Sequence, residues 1–120
     1  AENANADAFI SFHFDSVDEA NTASGYTAYY YHNDNGSKDL AQAINDAMNP
    51  NMPLENRGID RAEYVVLIDN KVPATLLENG YINSDRDFKQ IKSPAYRKLI
   101  AKDVAQGLET YFDNRVKTVN

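Results

Sequence analysis

The amino-acid sequence predicts an α/β fold: a mixed, mostly parallel sheet of about four strands with helices packed on its faces. Three observations predict it. Short apolar runs rich in β-formers alternate along the chain with segments of helical period. The run Ala8–Phe14 (AFISFHF) is apolar on both faces, as in a buried parallel strand, and Ala74–Leu77 (ATLL) reads as fully buried. Near the C-terminus, Tyr96, Leu99, Ile100, Val104, Leu108, Tyr111 and Phe112 follow the 3.6-residue period of a helix lying on a sheet.

Each element has a local cause. After the strand Ala8–Phe14, the polar stretch Asp15–Ser24 reads as a loop. Gly25–His32 (GYTAYYYH) reads as a second strand with aromatics on both faces, ending at the turn NDNG, Asn33–Gly36. Ser37 is then a candidate N-cap for a helix over Lys38–Met48, whose Leu40, Ala41, Ile44, Ala47 and Met48 form one stripe. Pro50 and Pro53 end that helix and leave Asn49–Arg57 as a loop. Tyr64–Ile68 (YVVLI) and Ala74–Leu77 read as the third and fourth strands, joined by Asp69–Pro73. A short helix is expected over Asp85–Ile91. Ser93 as N-cap and Pro94 at the first helical position start the last helix, and the tail 115–120 beyond Asn114 is expected to fray. The predicted order is β, β, α, β, β, α, α.

Composition narrows the function. The chain has 120 residues, 42% apolar and 25% charged, enough for one domain with a core. Twelve Lys and Arg against eighteen Asp and Glu give −6, which argues against tracking a nucleic-acid backbone. No apolar run approaches the ~18 residues of a membrane span. There is no cysteine, so disulfides and thiolate sites are excluded. The first residues, AENANADAF, hold no signal segment.

Two polar residues interrupt apolar strands: His13 near the end of the first and Glu78 at the close of PATLLE. Open α/β sheets bind ligands at the carboxyl ends of their strands. A neutral imidazole and a carboxylate placed there are ingredients of an open zinc site with a general base. The plainer alternatives are a half-buried structural histidine and a glutamate that caps a helix or pairs with a cation. His32, just before the turn, is expected to face solvent. Tyr29, Tyr30 and Tyr31 either stack on sugar rings or divide between core and exposed strand. The acidic loop Asp15–Glu19 lacks the ligand spacing and central glycine of a calcium loop.

Taken in order, ADAFISFHFDS, GYTAYYY, SKDLAQAI, NRGI, VVLIDNKVPATLLENGYI and YRKLIAKDVAQGLETYF resemble the catalytic domain of zinc-dependent N-acetylmuramoyl-L-alanine amidases. The resemblance runs from about Asn3 to Phe112, spacers included. Ser11-Phe12-His13 is similar to the family's Ser-x-His, which implies a zinc-ligand role for His13. Pro73 to Tyr81 (PATLLENGY) is similar to the segment whose glutamate is catalytic, which implies that role for Glu78. Asn56-Arg57-Gly58 matches the family's Asn-Arg-Gly. Gly58 is read as a backbone requirement, Arg57 as a site-rim or structural residue, and Asn56 with Arg57 as candidate substrate contacts. Asp15, Tyr81 and the order Asn83-Ser84 depart from the family pattern in loop positions.

The family's first strand, with its own zinc histidine and the glutamate that follows, has no counterpart here. The resemblance therefore implies that residues 1–114 are the C-terminal portion of a larger amidase domain, with an incomplete zinc ligand set. It implies a secreted peptidoglycan hydrolase of bacterial or phage cell walls, such as an autolysin, cleaving between N-acetylmuramic acid and L-Ala. The isolated chain is expected to be inactive or weak, and to self-associate through an exposed sheet edge. Two alternatives stand beside this: a non-catalytic wall-binding or regulatory relic of the fold, and an unrelated α/β binding module.

Overall fold

A computed structural model describes residues 6–119, with side chains described as far as residue 115. Its elements are β1 (Phe9–Asp15), β2 (Tyr26–Tyr30), α1 (Ser37–Met48), β3 (Asn56–Arg61), α2 (Val65–Ile68), β4 (Ala74–Tyr81), α3 (Asp85–Ile91) and α4 (Pro94–Val119). The four strands form one sheet in the order β1-β4-β2-β3. β1 runs parallel to β4 and β2 parallel to β3, while β2 and β4 are antiparallel. The mixed, mostly parallel sheet of four strands is thus as the sequence predicts, but one of its strands is not the expected one.

Tyr64–Ile68 is not a strand. Val65–Ile68 forms the one-turn helix α2, closed by Ile68 N–H donating to Tyr64 O and Asp69 N–H to Val65 O. Both edges of β4 are already taken, by β1 and β2, and only Leu67 of this apolar run is buried. The missing strand comes from NRGIDR, assigned in part to the Asn49–Arg57 loop by the sequence. As β3 it lies at the sheet edge and pairs only with β2. Tyr26 faces Asn56 and Ala28 faces Ile59, so β3 spends three steps where β2 spends two. Gly58, at φ 83°, carries that bulge with open space around its Cα, so its backbone conformation is what requires glycine.

Smaller differences have local causes. Gly36, at φ 90°, is the N-cap of α1, and Asn35 Oδ1 accepts from Ser37 N–H (3.1 Å). Ser37 lies inside the helix, where its hydroxyl donates to Asn35 Oδ1 and accepts from Ala74 N–H. α3 has the predicted bounds, and Ser84 Oγ accepts from Asp87 N–H at its start. The backbone of α4 stays helical to Val119, across the stretch expected to fray.

The main core lies on one face of the sheet. Tyr26, Ala28, Tyr30 and Leu77 pack there beneath Leu40, Ala41, Ile44 and Met48 of α1 and Tyr96, Ile100, Val104 and Tyr111 of α4. The helices touch closely: a Cβ on Gly107 would stand 2.7 Å from Ile44 Cα. The opposite face has a smaller cluster, Leu67, Ala74 and Leu76, flanked by Phe9, Tyr29 and Tyr31. All eight residues of β4 are buried, so the strand between these two layers is the best-fixed part of the sheet. Among the described residues, no helix is long and apolar enough to cross a membrane.

Candidate active site

Side chains alternate across a strand, so every second residue of β4 points away from α1 and α4. Leu77 belongs to the main core, and its neighbour Glu78 therefore faces the other side. Glu78 lies inside β4 instead of closing the strand as its sequence suggests. It pairs in register with His13 of β1 and with Thr27 of β2, so the three form one row across the sheet. His13 is exposed on the edge strand and Thr27 is buried.

Glu78 is only 4% exposed, and its Oε2 is buried without a hydrogen-bond partner. Burial pushes its carboxyl from the ordinary 4.5 up to about 7, and the negative charge of Asp15 adds to the effect. Asp15 ends β1, where its carbonyl accepts from Ile82 N–H (2.7 Å) and its carboxylate from Ser16 N–H (2.7 Å).

Aromatic side chains border this row. Tyr29 lies two residues beyond Thr27 on the same face, and its ring meets Tyr64 at 5.6 Å and 70°. Both phenols titrate above their ordinary 10.0, first through burial and then through neighbouring charge, that of Glu78 included. Arg57 Nη1 donates to Tyr81 Oη (2.7 Å), and its guanidinium lies 5.5 Å from the Tyr81 ring centre.

The structure does not bring every candidate together. Asn56 spends its amide on packing: it exchanges hydrogen bonds with Asn45 (2.9 Å each way), donates to Asn49 (3.1 Å) and accepts from Gly58 N–H (2.7 Å). That ties β3 to α1 and engages the amide away from Glu78. His32, expected to face solvent, is half-buried, and its Nε2 bonds Ile68 O (2.8 Å) to anchor the end of α2. The tyrosine run divides: Tyr30 enters the main core, while Tyr29 and Tyr31 flank the smaller cluster. In the Asp15–Glu19 loop, Asp18 and Glu19 are exposed, and Asn83 Oδ1 holds Val17 N–H at 3.2 Å. Among the described residues, no group of three or more His, Cys, Asp and Glu is placed to hold a metal ion.

One structural residue escaped the sequence reading. Asp87 is fully buried and its carboxylate accepts from Ser24 Oγ, Gly25 N–H (3.0 Å) and Tyr81 N–H (2.9 Å). It fastens the start of β2 to the end of β4, and so fixes the two strands that carry Thr27 and Glu78. Its signal was present: Ser84-x-x-Asp87 is a helix-start pattern. Tyr64 was also placed wrongly, because its apolar run was assigned to the sheet.

The sequence pattern of the N-acetylmuramoyl-L-alanine amidases matches residues 1–110. The chain belongs to that amidase family. Among curated relatives, it is 38% identical over 112 residues to the "Probable cell wall amidase LytH" of Staphylococcus epidermidis, covering 93% of this chain and 38% of the relative. To LytH of Staphylococcus aureus it is 37% identical over 106 residues, covering 88% and 35%. Among solved structures it superposes on an N-acetylmuramoyl-L-alanine amidase of Clostridium difficile 630 with TM-score 0.88 and 29% identity, covering 92% of this chain and 60% of that one. The amidase AmiC2 of Nostoc punctiforme gives 0.86 and 32%, covering 93% and 61%. The chain thus spans under two fifths of the curated relatives' length and about three fifths of these solved chains.

Proposed function

We propose that the chain supplies the base and one metal ligand of a peptidoglycan hydrolase. The bond cleaved is the amide between N-acetylmuramic acid and L-Ala of the stem peptide. The observation that carries this reading is the buried, partnerless Oε2 of Glu78 on a sheet row shared with His13. Buried polar atoms are normally satisfied, and an unsatisfied one calls for an explanation such as a bound water or ion.

The residues present fit part of a catalytic zinc site. Such sites take three protein ligands of the His and Glu type plus an open position. His13 would hold the metal, exposed on the same face as Glu78, and two more ligands must come from other residues. When bound, zinc supplies Lewis-acid chemistry that polarises a carbonyl and acidifies water. Glu78 takes the proton of the attacking water and delivers it to the leaving amine. A carboxyl lifted to about 7 suits both halves of that exchange near neutral pH. Arg57, held beside Tyr81, stands at the rim with a cation for a carboxylate of the stem peptide. The site of action is the cell wall, outside the cytoplasm. The exposed edge of β1, where Phe12 is 54% exposed, favours pairing with another chain, and the isolated 120-residue chain is inactive or weak.

The test is hydrolysis of purified peptidoglycan by the longer parent protein, read as newly released L-Ala amino termini. Glu78→Gln lowers the rate at least a hundredfold with the fold intact, and His13→Ala abolishes both activity and stoichiometric zinc. Hydrolysis by Glu78→Gln at the parental rate would refute the assignment. Tight one-to-one zinc in the bare chain would refute the incomplete ligand set.

A further inference from the structure

Among the described residues, α2 packs on the face that carries Glu78, with Leu67 as its one buried side chain. Leu67 packs with Ala74 and Leu76, while Tyr64 and Val65 stand 36% and 69% exposed and Val66 is also exposed. Contiguous exposed apolar groups of this kind mark binding surfaces more often than chance. Their position is specific. Tyr64 is the N-cap of α2, and its ring meets that of Tyr29 nearly at right angles. Tyr29 rises from the same face of β2 as Thr27, the register partner of Glu78. Together the two rings make an aromatic wall on the face that carries the buried carboxylate. The charge of Glu78 is felt at the Tyr64 phenol, which is consistent with their nearness.

We propose that Tyr64, supported by Tyr29, is a substrate-binding residue that packs against a pyranose ring of the glycan beside the scissile amide. This rests on the peptidoglycan reading above and names the part of the substrate held on the α2 side. Two groups flank such an amide, a sugar and a peptide. The peptide carries carboxylates; the charge of Asp15 reaches the Tyr64 phenol and disfavours them there, whereas Arg57 lies on the β3 side, near Tyr29 and Tyr81. A pyranose is neutral on its ring faces and presents C–H groups that pack on aromatic rings.

The probes are N-acetylmuramyl-L-Ala-D-isoglutamine and the dipeptide L-Ala-D-isoglutamine, which lacks the sugar. Each is titrated by NMR into the chain carrying Glu78→Gln, so that no bond is cut. The sugar-bearing probe shifts the ring signals of Tyr64 and Tyr29. On this background Tyr64→Phe keeps its affinity within about twofold, because the ring is what binds. Tyr64→Ala weakens it roughly 3- to 10-fold, the scale of one aromatic contact. Tyr64→Leu, which keeps apolar bulk against Tyr29, weakens it as well. Affinity for the dipeptide is the same in all four proteins. The proposal is overturned if Tyr64→Ala and Tyr64→Leu bind the sugar-bearing probe as the parent does. It is equally overturned if they lose the dipeptide to the same extent, or if the rings do not respond to the sugar. Ring shifts in a parent protein that cuts no amide would refute the hydrolase reading and leave the wall standing.

Discussion

Glu78→Gln tests the energetics of the site independently of its chemistry. The carboxyl loses its proton near 4.5 when exposed and near 7 in the folded chain, because burial and Asp15 both disfavour its charge. Between those values the native state binds more protons than the unfolded one, so stability falls as pH rises through this window. Below 4.5 both states are protonated and there is no penalty. Above 7 the penalty is complete, and at about 1.4 kcal/mol per pH unit it amounts to about 3 kcal/mol. A neutral glutamine has no such dependence. The assay is urea unfolding by circular dichroism at pH 4 and pH 8, with chelator present so that metal does not offset the charge. The quantity read is the change between the two pH values, parent minus variant, in which the other titrating groups cancel. The variant gains about 3 kcal/mol relative to the parent at the higher pH, on the order of 10 °C in melting temperature for a chain of this size. Equal pH dependence in the two proteins would refute the argument that Glu78 is held against its own ionisation.

Further outcomes follow from the same structure. Asp87→Ala leaves the Gly25 and Tyr81 N–H groups without their acceptor, and lowers unfolding stability by about 3–5 kcal/mol in urea titrations. Gly58→Ala meets no steric obstacle, so only the left-handed backbone costs energy, about 1–2 kcal/mol in thermal melts. Alkaline unfolding is steep: burial and Asp103 push the Tyr26 phenol up to about 12, and burial raises Tyr96 as well. The unfolded chain releases these protons near pH 10, so stability is lost from pH 10 upward, by about 3 kcal/mol for Tyr26 alone. The part of the phenolate absorbance contributed by Tyr26 and Tyr96 should therefore rise together with unfolding and not before it.

Where the sequence was legible, one physical constraint dominated each segment. α4 must lay one stripe on the core, and its seven apolar residues carry the helical period openly. β4 is buried on both faces, so PATLL reads as an uninterrupted apolar run, and Glu78 stands out against it. The row of His13 and Glu78 was legible as two polar residues, one between Phe12 and Phe14 and the other directly after Leu76 and Leu77. β3 was not legible because an edge strand with a bulge needs little alternation and few apolar residues, and NRGIDR has only Ile59. Tyr64–Ile68 misled for the opposite reason. Its β-branched composition suits a strand, but with both edges of β4 occupied no strand could add there, and the run closed into a helical turn. The contact of Tyr64 with Tyr29 was hidden by the same error, since a strand would have carried Tyr64 into the sheet.

The division of the sheet into two faces explains how a strained carboxylate is tolerated. Nearly all the large apolar packing is on the side of α1 and α4, where helices meet closely enough that Gly107 has no room for a side chain. Asp87 then fixes the ends of β2 and β4 from a third direction. The backbone beneath Glu78 is therefore set by interactions that Glu78 does not make. Its carboxylate can be buried without a partner because relaxing it would require moving β4, whose eight residues are held on both sides. The same logic predicts where the fold gives way least: a substitution on the α face unfolds the chain, whereas one on the Glu78 face changes binding and proton affinity first.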